Sequence, residues 1–254
     1  MPEAKQLTRR GLLASAALLL GGCDKLAGND QTRRILASAE TLTQTAQGLI
    51  GAPDALAPEF TVADLSPAFR ANGTTDPDTE DYAALVENNF ADWRLEVDGL
   101  VERPAKFSLE AIRALPSRTQ ITRHDCVEGW SCIGKWKGAK LAALLGEVGV
   151  KPAARFVVFR CADALERLDA DNKYYESLDL AEALHAQTIL AYEMNDKTLT
   201  VPHGAPLRLR AERKLGYKMA KYIMRIELVD SFDAIAGGKG GSWEDLGYDW
   251  YAGI

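Results

Sequence analysis

The 254-residue chain has only four cysteines and three histidines, and its apolar runs are short. The longest, ending at Leu20, covers about a dozen residues, whereas a membrane-spanning helix needs about 20. No pair among Cys23, Cys126, Cys132 and Cys161 is spaced Cys-x-x-Cys, and Cys-x-x-Cys-His is absent, which excludes c-type haem attachment. His124, His185 and His203 are too scattered for a zinc site, and His124-Asp125-Cys126 is at most a partial ligand set. Gly-x-x-x-x-Gly-Lys-[Ser/Thr] is missing, so there is no P-loop. Acidic residues also outnumber basic ones, 36 to 30. The formal net charge is -6, the wrong sign for binding nucleic acid, whose counterions are displaced by basic patches. No internal repeat or low-complexity segment stands out.

The N-terminus is where these shortages first turn informative. Lys5, Arg9-Arg10, the apolar run and Leu20-Gly21-Gly22-Cys23 read as a secretory signal over residues 1–22. Arg9-Arg10 resembles a twin-arginine export signal, which carries proteins already folded. Leu20-Gly21-Gly22-Cys23 resembles a lipoprotein processing box, with Cys23 as the lipidated residue and Asp24 favouring retention at the inner membrane. An ordinary cleaved signal, with no role for Cys23, is the alternative. Cleavage would remove Lys5, Arg9 and Arg10 against Glu3, taking the charge from -6 to -8. With 47% apolar residues, the chain can bury one good core.

Residues 23–80 read as a stalk or wrapping segment. Gln31 to Ile50 has some helical spacing, after which Pro53, Pro58, Pro67, Asn72-Gly73 and Pro77 interrupt it. From 81 to 254 a single domain is expected. Trp93 to Gly99 alternates as a strand running into a turn, and Phe107 to Leu115 reads as a helix stopped before Pro116. Strands are expected at Thr119–Thr122, Phe156–Phe159, Ile189–Glu193, Leu207–Arg210 and Ile223–Val229, helices at Lys140–Val148 and Leu180–Ala186, and a turn at Asn195-Asp196. Short strands mixed irregularly with short helices make the fold class α+β.

Three clusters carry chemistry. In Arg123-His124-Asp125-Cys126-Val127-Glu128-Gly129-Trp130-Ser131-Cys132, a cysteine between a strand and a glycine turn stands beside two cationic residue types that would favour its thiolate. A soft thiolate suits a redox metal. A Cys126–Cys132 disulfide, natural in an oxidising compartment, remains the other reading. In Pro202-His203-Gly204-Ala205-Pro206-Leu207-Arg208, Gly and Pro stiffen the backbone that carries His203 and Arg208. The third cluster, Arg213-Lys214-Leu215-Gly216-Tyr217-Lys218-Met219-Ala220-Lys221, concentrates cations in an acidic chain. It reads either as a grip on an anionic ligand or as a solvated basic loop.

Taken in order, these motifs resemble the molybdopterin-binding domain of the sulfite oxidase family. The branch they are most similar to is that of bacterial periplasmic methionine-sulfoxide reductase catalytic subunits. The resemblance runs from about Asn88 to the C-terminus. It rests on Cys126-Val127-Glu128-x-Trp130-Ser131 with Trp136-x-Gly138 and Leu141-x-x-Leu144-Leu145, on Gly204-Ala205-Pro206-Leu207-Arg208, and on Lys214-x-Gly216-Tyr217-Lys218-x-x-Lys221. It implies a mixed-sheet α+β fold with short helices, and a molybdenum cofactor with one pterin per metal. Cys126 is then the metal's protein ligand. Asn89, Asp92, Trp93, Cys161, His203, Arg208, Met219, Ala220 and Lys221 fall at cofactor-contacting positions. His203 stands where the family has asparagine, and Cys161 near a family threonine. These departures bear on the substrate more than on the cofactor. Arg123, His124 and Trp130 are candidates for shaping the substrate pocket, although core packing explains Trp130 equally well.

The implied activity is two-electron oxygen-atom transfer in the periplasm. Its direction is open: the branch resemblance implies sulfoxide reduction, on a small molecule or on methionine sulfoxide in proteins. Oxidation of sulfite or another small oxyanion is the alternative, and a non-catalytic anion-binding lipoprotein is a reading of another class. The expected partner is a separate membrane haem protein or cytochrome. Neither an attached cytochrome domain nor the family's further C-terminal domain is legible, so a monomer is expected. Export of an already folded protein agrees with a buried cofactor. The closing stretch from Gly237 to Tyr251 reads as a tail packed on the core, with a lid or a docking surface as the alternative.

Overall fold

Local sequence determines where each helix begins. Thr79, Ser108 and Asp179 each turn a side-chain oxygen onto a backbone N–H of the first helical turn. Each such cap is worth about 1 kcal/mol. They start α1 (Glu80–Glu87), α2 (Leu109–Ala114) and α4 (Leu180–Leu184). Helix α3 (Leu141–Val148) ends at Gly149, whose φ of 70° is one that glycine adopts without strain. A last short helix, α5, is Ser242–Asp245.

The computed structural model describes residues 29, 31, 54–165 and 173–254, and 54–254 form one compact unit. The export signal, Cys23 and the helical spacing of 31–50 lie outside the described residues, apart from Asn29 and Gln31. Among the described residues, two five-stranded sheets make up the unit. The first is ordered β2 (Ala105–Ser108), β1 (Arg94–Gly99), β10 (Ile223–Val229), β5 (Phe156–Ala164), β6 (Lys173–Asp179). Its β1–β10 pair is parallel and the others are antiparallel. The second runs β3 (Ser117–Asp125), β4 (Ser131–Lys140), β7 (Ile189–Met194), β8 (Lys197–Thr198), with β9 (Arg208–Arg210) also on β7. The fold class is therefore α+β with mixed sheets, as expected. Among the described residues no helix is long and apolar enough to cross a membrane.

The largest buried apolar cluster is shared by both sheets. Leu95 and Val97 of β1, Val157 and Phe159 of β5, and Ile226 and Leu228 of β10 meet Leu190 of β7, Leu209 of β9 and one face of α3. Complete burial of a side chain of this size is worth roughly 1.5–3 kcal/mol. Glycine at 138 is required by close packing: a Cβ there would lie 2.2 Å from the Leu190 carbonyl oxygen on the neighbouring strand.

Several expected boundaries move. Residues 105–108 extend β1's hairpin, with Phe107 opposite Leu95, so the helix expected from Phe107 begins only after the Ser108 cap. The helix expected to reach Ala186 ends at Leu184. Strand β4 falls where no strand was expected, because Gly134 and Gly138 lower its apparent propensity. Segment 54–80 packs on the domain: Glu59 bridges Thr122, and Phe69 sits against Trp136 with ring centroids 5.1 Å apart.

Candidate active site

The β3–β4 hairpin presents Cys126 at its turn. His124 and Asp125 pair with Cys132 and Ser131, and the turn closes through Cys126 N–H to the Trp130 carbonyl (2.9 Å) and Gly129 N–H to the Cys126 carbonyl (3.0 Å). Gly129 takes a φ of 83°, which suits glycine. Cys126 and Cys132 are both free, so the disulfide reading falls. Cys132 points back into the fold, toward the Ala68 carbonyl.

Strand alternation separates the two cationic neighbours expected to assist Cys126. Arg123 faces solvent and pairs with Asp125 at 2.9 Å, away from the cavity. His124 is completely buried, and desolvation, then Arg210, Arg208 and Lys221, push it well below its ordinary value, so it is neutral. Burial is also the largest influence on Cys126, raising its thiol. The backbone N–H of Glu128 pulls the other way, its carboxylate adds to the rise, and Arg70 and the Val127 N–H lower the thiol further. Arg70, which the sequence did not single out, is thus the cation felt by this thiol. Trp130 leans over His124 at 5.6 Å, donates its indole N–H to Glu128 (2.9 Å) and carries Arg70 5.1 Å above its ring, so its side chain stays off the cavity wall and acts through these two neighbours. Among the described residues no three of His, Cys, Asp or Glu come together as a metal nest, and the His124-Asp125-Cys126 set does not form one.

Cys126 opens on a cavity of about 260 Å³, with Met219, Ala220 and Lys221 on its wall. Behind them lies a buried cationic group. Arg210 is held bidentately by Glu212 (2.9 and 2.6 Å), both residues completely buried, and reaches His124 Nδ1 at 3.0 Å. Arg208, equally buried and 4.9 Å above Trp136, has no such counter-charge. Its Nη1 donates to the His203 carbonyl (3.1 Å), while Nε and Nη2 have no partner. Burial and Arg210 pull its guanidinium down to about 9. Lys221, drawn to about 7 mainly by burial and next by Arg208, donates to the carbonyls of Asn72 (2.6 Å), Thr74 and Pro202 (3.2 Å). Gly204 makes the cluster possible, since a Cβ there would lie 2.9 Å from the Lys221 stem. Gly216 does the same for His124, whose Nε2 is 2.4 Å from where a Cβ would stand.

The third cluster does not act as one anion grip. Lys218 is buried between Glu176 and Glu244 (2.6 Å to the latter), Arg213 pairs with Glu182, and Lys214 donates to the Tyr251 carbonyl. Of its cations only Lys221 faces the cavity. Asn89, Asp92 and Trp93 also lie off the cavity wall: Asn89 (φ 52°) turns the chain out of α1, Asp92 accepts from Asn88 (2.8 Å), and Trp93 is core. Cys161 is buried behind the wall, its thiol pushed well up by desolvation. His203 borders the cationic group with Nδ1 unpartnered.

Two contributors were not anticipated, and a third was expected only as an alternative. Asn72, Gly73 and Thr74, from the segment given no chemistry, line the cavity, as does Asp163 at the end of β5. Trp243 and Tyr248 of the closing stretch line it too, rings 5.0 Å apart, while Trp250 of the same stretch packs on Phe156 and Phe232. That stretch is both packed tail and cavity wall.

The unpartnered guanidinium N–H groups of Arg208, buried beside Lys221 and the unpartnered ring nitrogens of His203 and His124, are costly unless an acceptor-rich anion meets them. A phosphorylated pterin is such an anion, so the residues fit the group. The comparisons agree. The family model described as the oxidoreductase molybdopterin binding domain matches residues 82–234, and the chain belongs to that family. It is a molybdopterin-dependent oxidoreductase. It is 35% identical over 253 residues, all of this chain and 88% of the relative, to the putative protein-methionine-sulfoxide reductase subunit YedZ1 of Azospira oryzae. A solved structure, the sulfane dehydrogenase SoxCD from Paracoccus pantotrophus, is 26% identical with a TM-score of 0.49. The match covers 55% of this chain and 39% of that one.

Proposed function

We propose that this protein is the catalytic subunit of a sulfoxide reductase, with Cys126 as the protein's ligand to molybdenum. One observation carries the substrate class. The wall that Cys126 shares is rich in aromatic and apolar side chains, with Tyr174, Tyr217, Trp243 and Tyr248 beside Leu165 and Met219. Sulfite and similar oxyanions would be desolvated there with no spare cation to pair with, since Lys221, the one cation among the described residues of that wall, is committed to the cofactor's anionic part. A neutral sulfoxide pays no such penalty. The similarity to a protein named as a methionine-sulfoxide reductase subunit supports the same reading.

When bound, the cofactor supplies two-electron oxygen-atom exchange. Arg208, His203 and Lys221 would hold its anionic part, Met219 and Ala220 would flank it, and the Cys126 sulfur would face the metal. Trp243 and Tyr248 narrow the cavity and reduce water access to the reacting sulfur. Glu128, clamped by Trp130 and by Arg70 at 3.6 Å, holds the Cys126 turn at the rim.

Export by a twin-arginine signal to the periplasm, an inner-membrane anchor on lipidated Cys23, a monomeric catalytic subunit and a membrane haem protein or cytochrome as electron donor complete this reading. The word "subunit" in the relative's name supports a partner chain. The test is steady-state turnover of the holoenzyme with reduced viologen plus methionine sulfoxide or dimethyl sulfoxide, set against oxidised dye plus sulfite. Sulfoxide reduction is expected to dominate. Sulfite oxidation without sulfoxide reduction would overturn the substrate class.

A further inference from the structure

Turning a sulfoxide into a sulfide and water consumes two electrons and two protons. The sulfur–oxygen bond breaks, sulfur is reduced, and the oxygen leaves as water. The redox partner supplies the electrons, and a group on the cavity wall has to supply protons where bulk water is held back.

Asp163 stands at that place. It lies near the end of β5, where the β5–β6 register slips between Arg160 and Ala164, and it lines the same cavity as Cys126. A break of this kind in a ladder re-aims side chains. Asp163 is 5% exposed, and its Oδ1 is buried with no hydrogen-bond partner. The cations near it are engaged elsewhere: Lys221 with three carbonyls and Lys173, from β6, with the Ala162 carbonyl (2.8 Å). Its other polar neighbours are Thr74 of the wrapping segment, Cys161 on its own strand, Tyr82 of α1, Tyr174 of β6 and Tyr222 beside β10.

We propose that Asp163 is the acid that hands a proton to the departing substrate oxygen, a role that rests on the sulfoxide-reductase reading above. The second proton comes from solvent, which also reprotonates the carboxylate between turnovers. Burial raises the Asp163 carboxyl to about 6 against the opposing pull of Thr74, Lys221 and Lys173. A bound anionic cofactor would raise it further. The acid form is therefore populated near neutral pH, where an exposed aspartate would be fully ionised.

The first readout needs neither cofactor nor substrate. Infrared titration of the cofactor-free protein should show a carboxyl band disappearing near pH 6, absent in Asp163→Asn and displaced in Asp163→Glu. The second is the pH profile of sulfoxide turnover. In the wild type kcat should fall as pH rises through an inflection at or above about 6. Asp163→Asn should lose about 100-fold at low pH and become flat. Asp163→Glu should keep turnover with a shifted inflection, and it decides the matter if the asparagine variant does not fold. No carboxyl titrating above pH 5 in the cofactor-free protein would overturn the proposal. Sulfoxide turnover whose profile is unchanged in Asp163→Asn, or unmoved in Asp163→Glu, would overturn the proton-donor role alone. A wild type that reduces no sulfoxide at any pH overturns the functional reading and the role together.

Discussion

Replacing Arg208 by methionine should stabilise the cofactor-free protein while abolishing its ability to take up cofactor. Burial and the neighbouring Arg210 lower the Arg208 guanidinium from 12.5 to about 9. At about 1.4 kcal/mol per unit, that is an upper bound of about 5 kcal/mol of uncompensated charge. The cost is fully present at pH 7, below both values, because the folded and unfolded chains both carry the charge there. Methionine keeps much of the volume. It gives up the hydrogen bond to the His203 carbonyl and the position over Trp136, about 1 kcal/mol each. The balance favours the variant by roughly 2–3 kcal/mol, or about 5–10 °C in midpoint for a domain of this size. Thermal unfolding of both proteins from a host unable to make the cofactor measures the first half, and pterin content from a competent host measures the second. A cofactor-free Arg208→Met protein that melts below the wild type would refute the reasoning, since Arg208 would then be satisfied by the protein itself and not be held for an anion.

Lys221 gives a pH signature. Its folded value of about 7 lies below its ordinary 10.5, so the unfolded chain binds more protons between the two. Stability of the cofactor-free protein should rise with pH across that window, and urea titrations of Lys221→Met should show a shallower rise. Lys218→Met strands two buried carboxylates and should cost about 3–5 kcal/mol, read by the same titrations. Gly216→Ala drives a methyl onto the His124 ring and should cost about 1–3 kcal/mol in thermal unfolding. Because Cys132 is free and faces away from the cavity, Cys132→Ala should keep its molybdenum and its turnover.

Legibility in the sequence followed how local each signal was. The alternation from Trp93 to Gly99 and the Asn195-Asp196 turn, whose residues both take positive φ, depend only on neighbours in the chain and were readable. Strand β4 carried a usable signal in Lys135-Trp136-Lys137, with the lysines more exposed and the tryptophan inward, but its glycines masked it. The site divides in the same way. Cys126, Arg208 and Lys221 sit in compact motifs. The partners that decide what a charge does are remote: Lys218 meets Glu176 and Glu244, 42 and 26 residues away, so its run reads from the sequence as an anion grip or a solvated loop and not as a buried ion pair. Asp163 is a lone acid at a strand end, and only the fold gives it a role. Arg123 and His124 looked equivalent because adjacency in sequence was read without the strand's two-residue period, which sends one to solvent and the other to the core.

The most direct measurement is molybdenum content together with X-ray absorption on protein purified from its native compartment, wild type against Cys126→Ser. The wild type should hold about one molybdenum per chain, and the serine variant, where it retains metal, should show one fewer sulfur bound to it. Unchanged sulfur ligation in Cys126→Ser, or no molybdenum in the wild type, would contradict the assignment of Cys126 as the metal's ligand.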